Sequence, residues 1–327
     1  MNIFSSELRT EKLTLKNRLV MAPMQSLFAT DDGRVTDKVI SYYHDRTKNG
    51  KIGLVIVEHS FISPEGRACK RQLSISKDED INGLTGLAET IKQDGSCSCI
   101  QLSHAGGSAI FDTTEKQVPI GPSDVKCIRT GVVPQPMTED DIEAVVKSFA
   151  AAASRAVEAG FEAIELHSAH GYLLNQFFSP YSNKRTDEYN GSVGNRLRIH
   201  CRVIEAVREV VGENFPILVR LGAKDYHVPG TTLEEGVEAA KILEKAGADI
   251  LDVSGGMSIW TNPHDDGPGF FRELSIPIRK AVKLPVILTG GIVIGEQAEE
   301  LLEQGAADLI GVARALLRNI NWAAENV

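Results

Sequence analysis

Eight short apolar runs recur along the chain, and helical stretches separate them. The runs are Leu19 to Met24, Gly53 to Glu58, Ser98 to Ser103, Phe161 to His167, Pro216 to Gly222, Asp249 to Gly255, Pro285 to Gly291 and Leu309 to Arg314. They are continuous rather than alternating, which suits parallel strands covered on both faces. The clearest amphipathic segments between them are Thr138 to Glu158, Gly194 to Val211, Thr232 to Lys245 and Gly295 to Glu303. Thr138 precedes Glu139, Asp140 and Asp141, an N-cap followed by first-turn acids that complement the helix dipole. Ala159-Gly160, Ala246-Gly247 and Gln304-Gly305 each put glycine where a helix needs a left-handed C-cap, with a strand soon after.

Eight strand-helix units with this punctuation predict an α/β fold, a (β/α)8 TIM barrel formed as a single domain over residues 1–327. A doubly wound open sheet is the alternative. The 327 residues, 42% hydrophobic and 24% charged, supply an ordinary globular core. No apolar run approaches the roughly 18 residues needed to span a bilayer, and residues 1–15 lack the basic start and apolar centre of a signal peptide. A cytoplasmic chain with no membrane partner is therefore expected. The net charge of −9 without a basic stripe argues against nucleic acid. The five cysteines, at 69, 97, 99, 127 and 201, include no C-x-x-C pair, and Cys97 and Cys99 read as small core residues on one strand face.

In such a barrel the chemistry gathers where each strand ends. Those ends read Pro23-Met24-Gln25, Glu58-His59, Gln101 with His104, His167 with His170, Arg220, Ser254-Gly255, Gly290-Gly291 and Ala313-Arg314. The long connections Ala105 to Met137, Gly171 to Gly191, Ala223 to Thr231 and Gly256 to Gly269 leave from the same rim and are expected to cover a site. Gly290, Gly291, Ala313 and Arg314 at strands seven and eight suit a phosphate, with the helix starting near Ala315 offering its positive end. Arg220, in an otherwise apolar run, needs an anionic partner. Gln101 carries the donor and acceptor that read the edge of a planar heterocycle. A phosphate clamp, a heterocycle reader and a cation on neighbouring strand ends describe a bound mononucleotide whose ring becomes negative, and flavin mononucleotide (FMN) fits best.

The segment His167-Ser-Ala-His170-Gly-Tyr172 sets two imidazoles and a phenol just past the fourth strand. A histidine pair can hold a carbonyl oxygen through two ring N–H donors while the tyrosine supplies a proton. A loop whose polar side chains satisfy one another would carry the same spacing. His104, His167 and His170 could also be ligands of a metal-dependent barrel hydrolase or aldolase.

The chain resembles the Old Yellow Enzyme family of flavin-dependent ene-reductases from Leu15-Lys16-Asn17-Arg18 to Arg314. The most specific match is the stretch from His167 to Pro180, followed by residues 183–192 and Asn195-Arg196. Ala22-Pro23-Met24, Val57-Glu58, residues 101–106 and Val219-Arg220 add to it. The resemblance implies a barrel that holds FMN, is reduced by NADH or NADPH, and is reoxidised by an electron-poor alkene, a small-molecule substrate. It implies flavin contacts from Ala22, Pro23, Met24, Gln25, His59, Gln101 and Arg220, and a phosphate site at Gly290, Gly291, Ala313 and Arg314. His167 and His170 would hold the substrate carbonyl, Tyr172 would protonate the α carbon, and Leu27 would face substrate.

Gln25 departs from the family's threonine or cysteine, Leu27 from a tyrosine, and Gly194 from a glutamate. Longer relatives continue into an iron–sulfur motif and a second nucleotide-binding domain, so electrons are expected directly from a nicotinamide or from a separate partner. A homo-oligomer is compatible with the sequence, and a flavoprotein that carries electrons without turnover is the remaining alternative. Arg185, Asp187 and Arg196 read as loop-ordering ion pairs.

Overall fold

The computed structural model describes residues 2–110, 118–257 and 259–327. Parts of two long connections named above, residues 111–117 and 258, lie outside the described residues. Eight strands close into a parallel barrel: β1 Leu19–Met21, β2 Leu54–Phe61, β3 Cys97–Ser103, β4 Ala163–Ser168, β5 Ile217–Gly222, β6 Ile250–Ser254, β7 Val286–Thr289 and β8 Leu309–Val312. Each pairs with its neighbours in chain order, and β8 pairs with β1. The open-sheet alternative is thereby excluded.

Helices α1 Asp37–Thr47, α2 Ile81–Lys92, α3 Glu139–Glu158, α4 Arg198–Val211, α5 Leu233–Ala246, α6 Arg272–Ala281, α7 Gly295–Glu303 and α8 Arg314–Arg318 follow the strands. The predicted caps form. Thr138 accepts from the Asp141 N–H in a capping box, and Gly160, Gly247 and Gly305 all take positive φ. The single helix expected over Gly194 to Val211 is instead two pieces, Val193–Arg196 and α4, because Leu197 leaves helical geometry at ψ 0°. Helix α6 carries Pro277 in its interior. Proline lacks the N–H that continues a helical ladder, which hides such a helix from a reading based on breakers.

The barrel interior changes character along its axis. One buried cluster draws Val20, Leu54, Ile56, Cys97, Cys99, Ala163, Leu218, Ile250, Ile287 and Leu309 from all eight strands. Leu15, from an antiparallel hairpin pairing Leu8–Arg9 with Thr14–Leu15, joins it and closes the amino-terminal end. Because strand side chains alternate, the next inward positions lie two residues further on. Those are Gln101, Glu165, Arg220, Asp252, Thr289 and Gly311, so a polar layer rests on an apolar plug.

Cys99 is fully buried within that plug. Cys99→Ser puts a hydroxyl there without a partner and should cost about 1–3 kcal/mol. A fall in the urea midpoint at constant slope measures it.

Candidate active site

The rim at the carboxyl ends of the strands opens into a cleft of about 870 Å³. Its walls include Pro23, Gln25, His59, Gln101, Arg220 and Tyr172. They also include His167, His170, Gly290, Gly291, Ala313 and Arg314. Twelve residues predicted from separated parts of the sequence are thus brought together. Ala22 and Met24 lie behind the wall, and the Ala22 N–H donates to the Val312 carbonyl at 3.1 Å. Leu27 is not in the cleft: it is 47% exposed, at φ +59°, in a separate surface hollow with Phe28 and Arg71. The loop after β1 turns it outward.

The polar layer forms the floor. Register aligns Gln101 with Glu165, His167 with Arg220, and Arg220 with Asp252 on adjacent strands. Gln101 Nε2 donates to Glu165 Oε1 at 2.6 Å, which leaves the amide oxygen for a ligand N–H. Arg220 Nε sits 3.5 Å from Asp252 Oδ2. Burial, reinforced by the neighbouring Asp252, pushes the Glu165 carboxyl well above the usual carboxylate range. Burial also raises Asp252, but the Arg220 guanidinium opposes that shift. Both carboxyls are thus pushed toward the protonated form, Glu165 the further, while Asp252 stands beside the Arg220 guanidinium. Asp252 is an acidic neighbour of Arg220 that the sequence did not identify.

Strand β2 shifts register between Val57 and Ser60, a bulge that re-aims Glu58 and His59. Glu58 accepts from the Ser26 N–H at 3.0 Å and from the Ser26 hydroxyl, fixing the loop after β1. Gln72 accepts the Ala68 N–H at 2.7 Å, so its amide nitrogen must be the group 2.8 Å from His59 Nδ1. That bond makes Nδ1 the acceptor and places the His59 proton on Nε2. Burial lowers the His59 pKa to about 4, and the ring is neutral at pH 7.

His167 and His170 stand with ring centroids 5.1 Å apart, and the Tyr172 ring packs edge-on against His167 at 4.8 Å. Burial holds both imidazoles well below the usual histidine range, and His170 and His59 further disfavour charge on His167. His170 adopts φ +59°, an unusual conformation for a side chain, and its Nε2 lies 2.8 Å from Ser254 Oγ. His167 Nδ1 is buried with no partner among the described residues. His104 is not part of the group. Its Nδ1 accepts the Gly106 N–H at 3.0 Å, its ring packs against Gly66, and it does not line the cleft with His167 and His170.

At the far end of the cleft Gly290 and Gly291 take φ +135° and +67°. A Cβ on Gly291 would come 2.2 Å from the Gly267 carbonyl oxygen, so only glycine fits. Arg314 lies 5.8 Å from the Phe270 ring centroid. It opens α8 one residue earlier than expected, but that helix spans only five residues and contributes little dipole. The buried Thr289 Oγ1 and Arg220 Nε also lack hydrogen-bond partners among the described residues. Unpartnered buried donors call for a ligand, and this set suits a planar heterocycle at Gln101 and Arg220 joined to a phosphate at Gly291 and Arg314.

Arg129, in the loop between β3 and α3, was missed in the sequence. Its Nη1 donates to Tyr172 Oη at 2.8 Å. Nothing in Cys127-Ile128-Arg129-Thr130 has a period or motif that marks it. Arg185 pairs with Asp187 at 2.6 Å as expected, whereas Arg196 pairs with Glu235 on α5.

Residues 7–325 match the NADH:flavin oxidoreductase / NADH oxidase family. The chain belongs to that family. An NADH oxidase of Thermoanaerobacter brockii is 39% identical over 98% of the chain, which spans 50% of that relative. An NADPH dehydrogenase of Geobacillus sp. (strain WCH70) is 41% identical over 95% of the chain and 89% of its own length. The solved Old Yellow Enzyme homologue of Zymomonas mobilis superposes with a TM-score of 0.83 at 26% identity, over 97% of this chain and 90% of that one. The chain is of the Old Yellow Enzyme type, and its cofactors are FMN and NADH or NADPH. No helix among the described residues is long and apolar enough to cross a membrane.

Glu58 generates a pH prediction. Burial raises its pKa from 4.5 to about 7. The folded chain then holds a proton that the unfolded chain has released, so stability falls as pH rises between those values. Glu58→Gln should remove that decline. Urea denaturation across the window should show the variant gaining on the wild type by up to about 3 kcal/mol.

Proposed function

We propose that residues 1–327 act as one FMN-binding domain that takes reducing equivalents from NADH or NADPH and reduces the C=C bond of an α,β-unsaturated carbonyl compound or a nitroalkene. The observation that carries this reading is the convergence of His167, His170 and Tyr172 on one wall of the cleft. Two neutral imidazoles and a protonated phenol meet there, above a floor that holds a buried guanidinium.

The chain's own groups divide the work. Gln101, Arg220 and His59 would hold the heterocycle, with Pro23 and Gln25 beside it and Ala22 and Met24 supporting the loop from behind. Gly290, Gly291, Ala313 and Arg314 would hold the phosphate. FMN, when bound there, would supply the hydride chemistry. His167 and His170 donate to the substrate oxygen, which gains negative charge as the double bond is reduced. Neutral imidazoles can do this provided each turns an N–H toward that oxygen. Arg220, beside Asp252, sits where it can offset negative charge on the heterocycle. Tyr172 keeps its proton at neutral pH, because burial pushes the phenol up from 10, and it delivers that proton to the α carbon.

The purified protein should show flavin absorbance. Anaerobic titration with NADH and NADPH should bleach it, and one or more members of a panel of enones and nitroalkenes should restore it. A yellow protein that no such alkene reoxidises would refute the reading. Tyr172→Phe should slow alkene reduction by about 10²-fold or more, the usual contribution of a general acid, and should slow flavin reduction by nicotinamide far less. Stopped-flow measurement of the two half-reactions separates these effects. His167→Ala should remove the long-wavelength charge-transfer band formed with phenols and slow alkene reduction about 10²- to 10³-fold, as for loss of one oxyanion donor.

A further inference from the structure

We propose that Arg129 is a positioning residue for the proton-transfer step: it orients the Tyr172 phenol and stabilises the phenolate left when that proton goes to the substrate. This rests on the reading of Tyr172 given above. Guanidinium carries only donors, so in the 2.8 Å contact the phenol oxygen accepts. The phenol's own proton must then point elsewhere, and Tyr172 lines the cleft. Arg129 Cζ lies 5.4 Å from the Tyr172 ring centroid, so the charge stays close to the whole phenol.

The turn that carries Arg129 is tied to the segment that carries Tyr172. Thr130 Oγ1 donates to the Gly107 carbonyl at 3.2 Å, and Ser108 Oγ lies 3.3 Å from Cys127 Sγ. The same Ser108 hydroxyl donates to the Gly171 carbonyl at 2.9 Å, one residue before Tyr172. Ser108 thereby spans the two backbones whose side chains meet.

The other groups facing the phenol are His59 from β2, His167 from the end of β4 and Cys69 from the loop after β2. Both imidazoles are held neutral by burial, and burial also raises the Cys69 thiol. Arg129 is accordingly the charged side chain that hydrogen-bonds the phenol. Burial raises the phenol, and Arg129 works against that rise.

In the step itself the Tyr172 O–H bond breaks and a C–H bond forms at the α carbon, using the electron pair of the enolate. Tyr172 is left as phenolate beside the guanidinium, and water then returns a proton. A donor must be protonated, so alkene reduction falls as pH rises through the phenol's pKa. Arg129 lowers that pKa, and losing it moves the alkaline limb upward while it slows the plateau.

Arg129→Gln keeps an amide donor and removes the charge, and Arg129→Lys keeps the charge. With FMN-loaded protein, Arg129→Gln is expected to reduce enone turnover about 10-fold and move the alkaline limb upward by about one pH unit. Arg129→Lys should return the limb toward the wild-type position. In a Tyr172→Phe background, Arg129→Gln should have little further effect. A readout free of turnover uses protein made with 3-fluorotyrosine, where the fluorine resonance lost in Tyr172→Phe reports position 172. Its titration should also move upward in Arg129→Gln. Enone turnover by the wild type with an unmoved limb and titration in Arg129→Gln would overturn the role of Arg129 alone. No enone turnover by the wild type would overturn the proton-donor reading and this proposal with it.

Discussion

A guanidinium inside a closed barrel dictates much of what surrounds it. Arg220 sits on β5 with its side chain nearly buried, and an isolated charge there would cost far more than a hydrogen bond returns. Strand pairing brings Asp252 on β6 to one side of it and β4, which carries Glu165, to the other, and Gln101 takes up one oxygen of Glu165. Two carboxyls beside one arginine would leave a net negative layer. Burial works against that charge by raising the pKa of both carboxyls, Glu165 above all. Less negative charge then lies beside the Arg220 guanidinium, which itself lines the cleft.

Much of this was legible in the sequence, for physical reasons that differ from residue to residue. Continuous apolar runs and glycine stops give the barrel, because both follow from burial on two faces and from left-handed caps. Arg220 stood out as a charge in an apolar strand, and Gly290, Gly291 and Arg314 as a pair of strand ends with matching chemistry. The break at Leu197 and the helix around Pro277 were not legible, since tertiary packing decides them against local preference. Arg129 was invisible because its partner lies 43 residues away across two loops. The position of Leu27 was not legible either: resemblance supplied a role, and the loop's own backbone turns the side chain away from this cleft.

The three imidazoles of the cleft share one protonation state but reach it under different constraints. Gln72 fixes the proton of His59, with the amide itself oriented by the Ala68 backbone. His170 is held at an uncommon backbone conformation with Ser254 at its Nε2. His167 has no partner at Nδ1. Burial without charge is what allows three such rings to sit together, since even one imidazolium would repel Arg220.

The apolar plug beneath the polar layer has a kinetic meaning under the proposed function. Leu54, Ile56, Cys99 and their neighbours fill the barrel, and Leu15 closes its lower end. Among the described residues this cluster fills the barrel below the cleft, so under the proposed function nicotinamide and alkene would share the opening at the carboxyl ends of the strands. Molecules that share one opening would compete for it if they took turns there. Such an enzyme stores its electrons between visits, and an excess of either visitor obstructs the other.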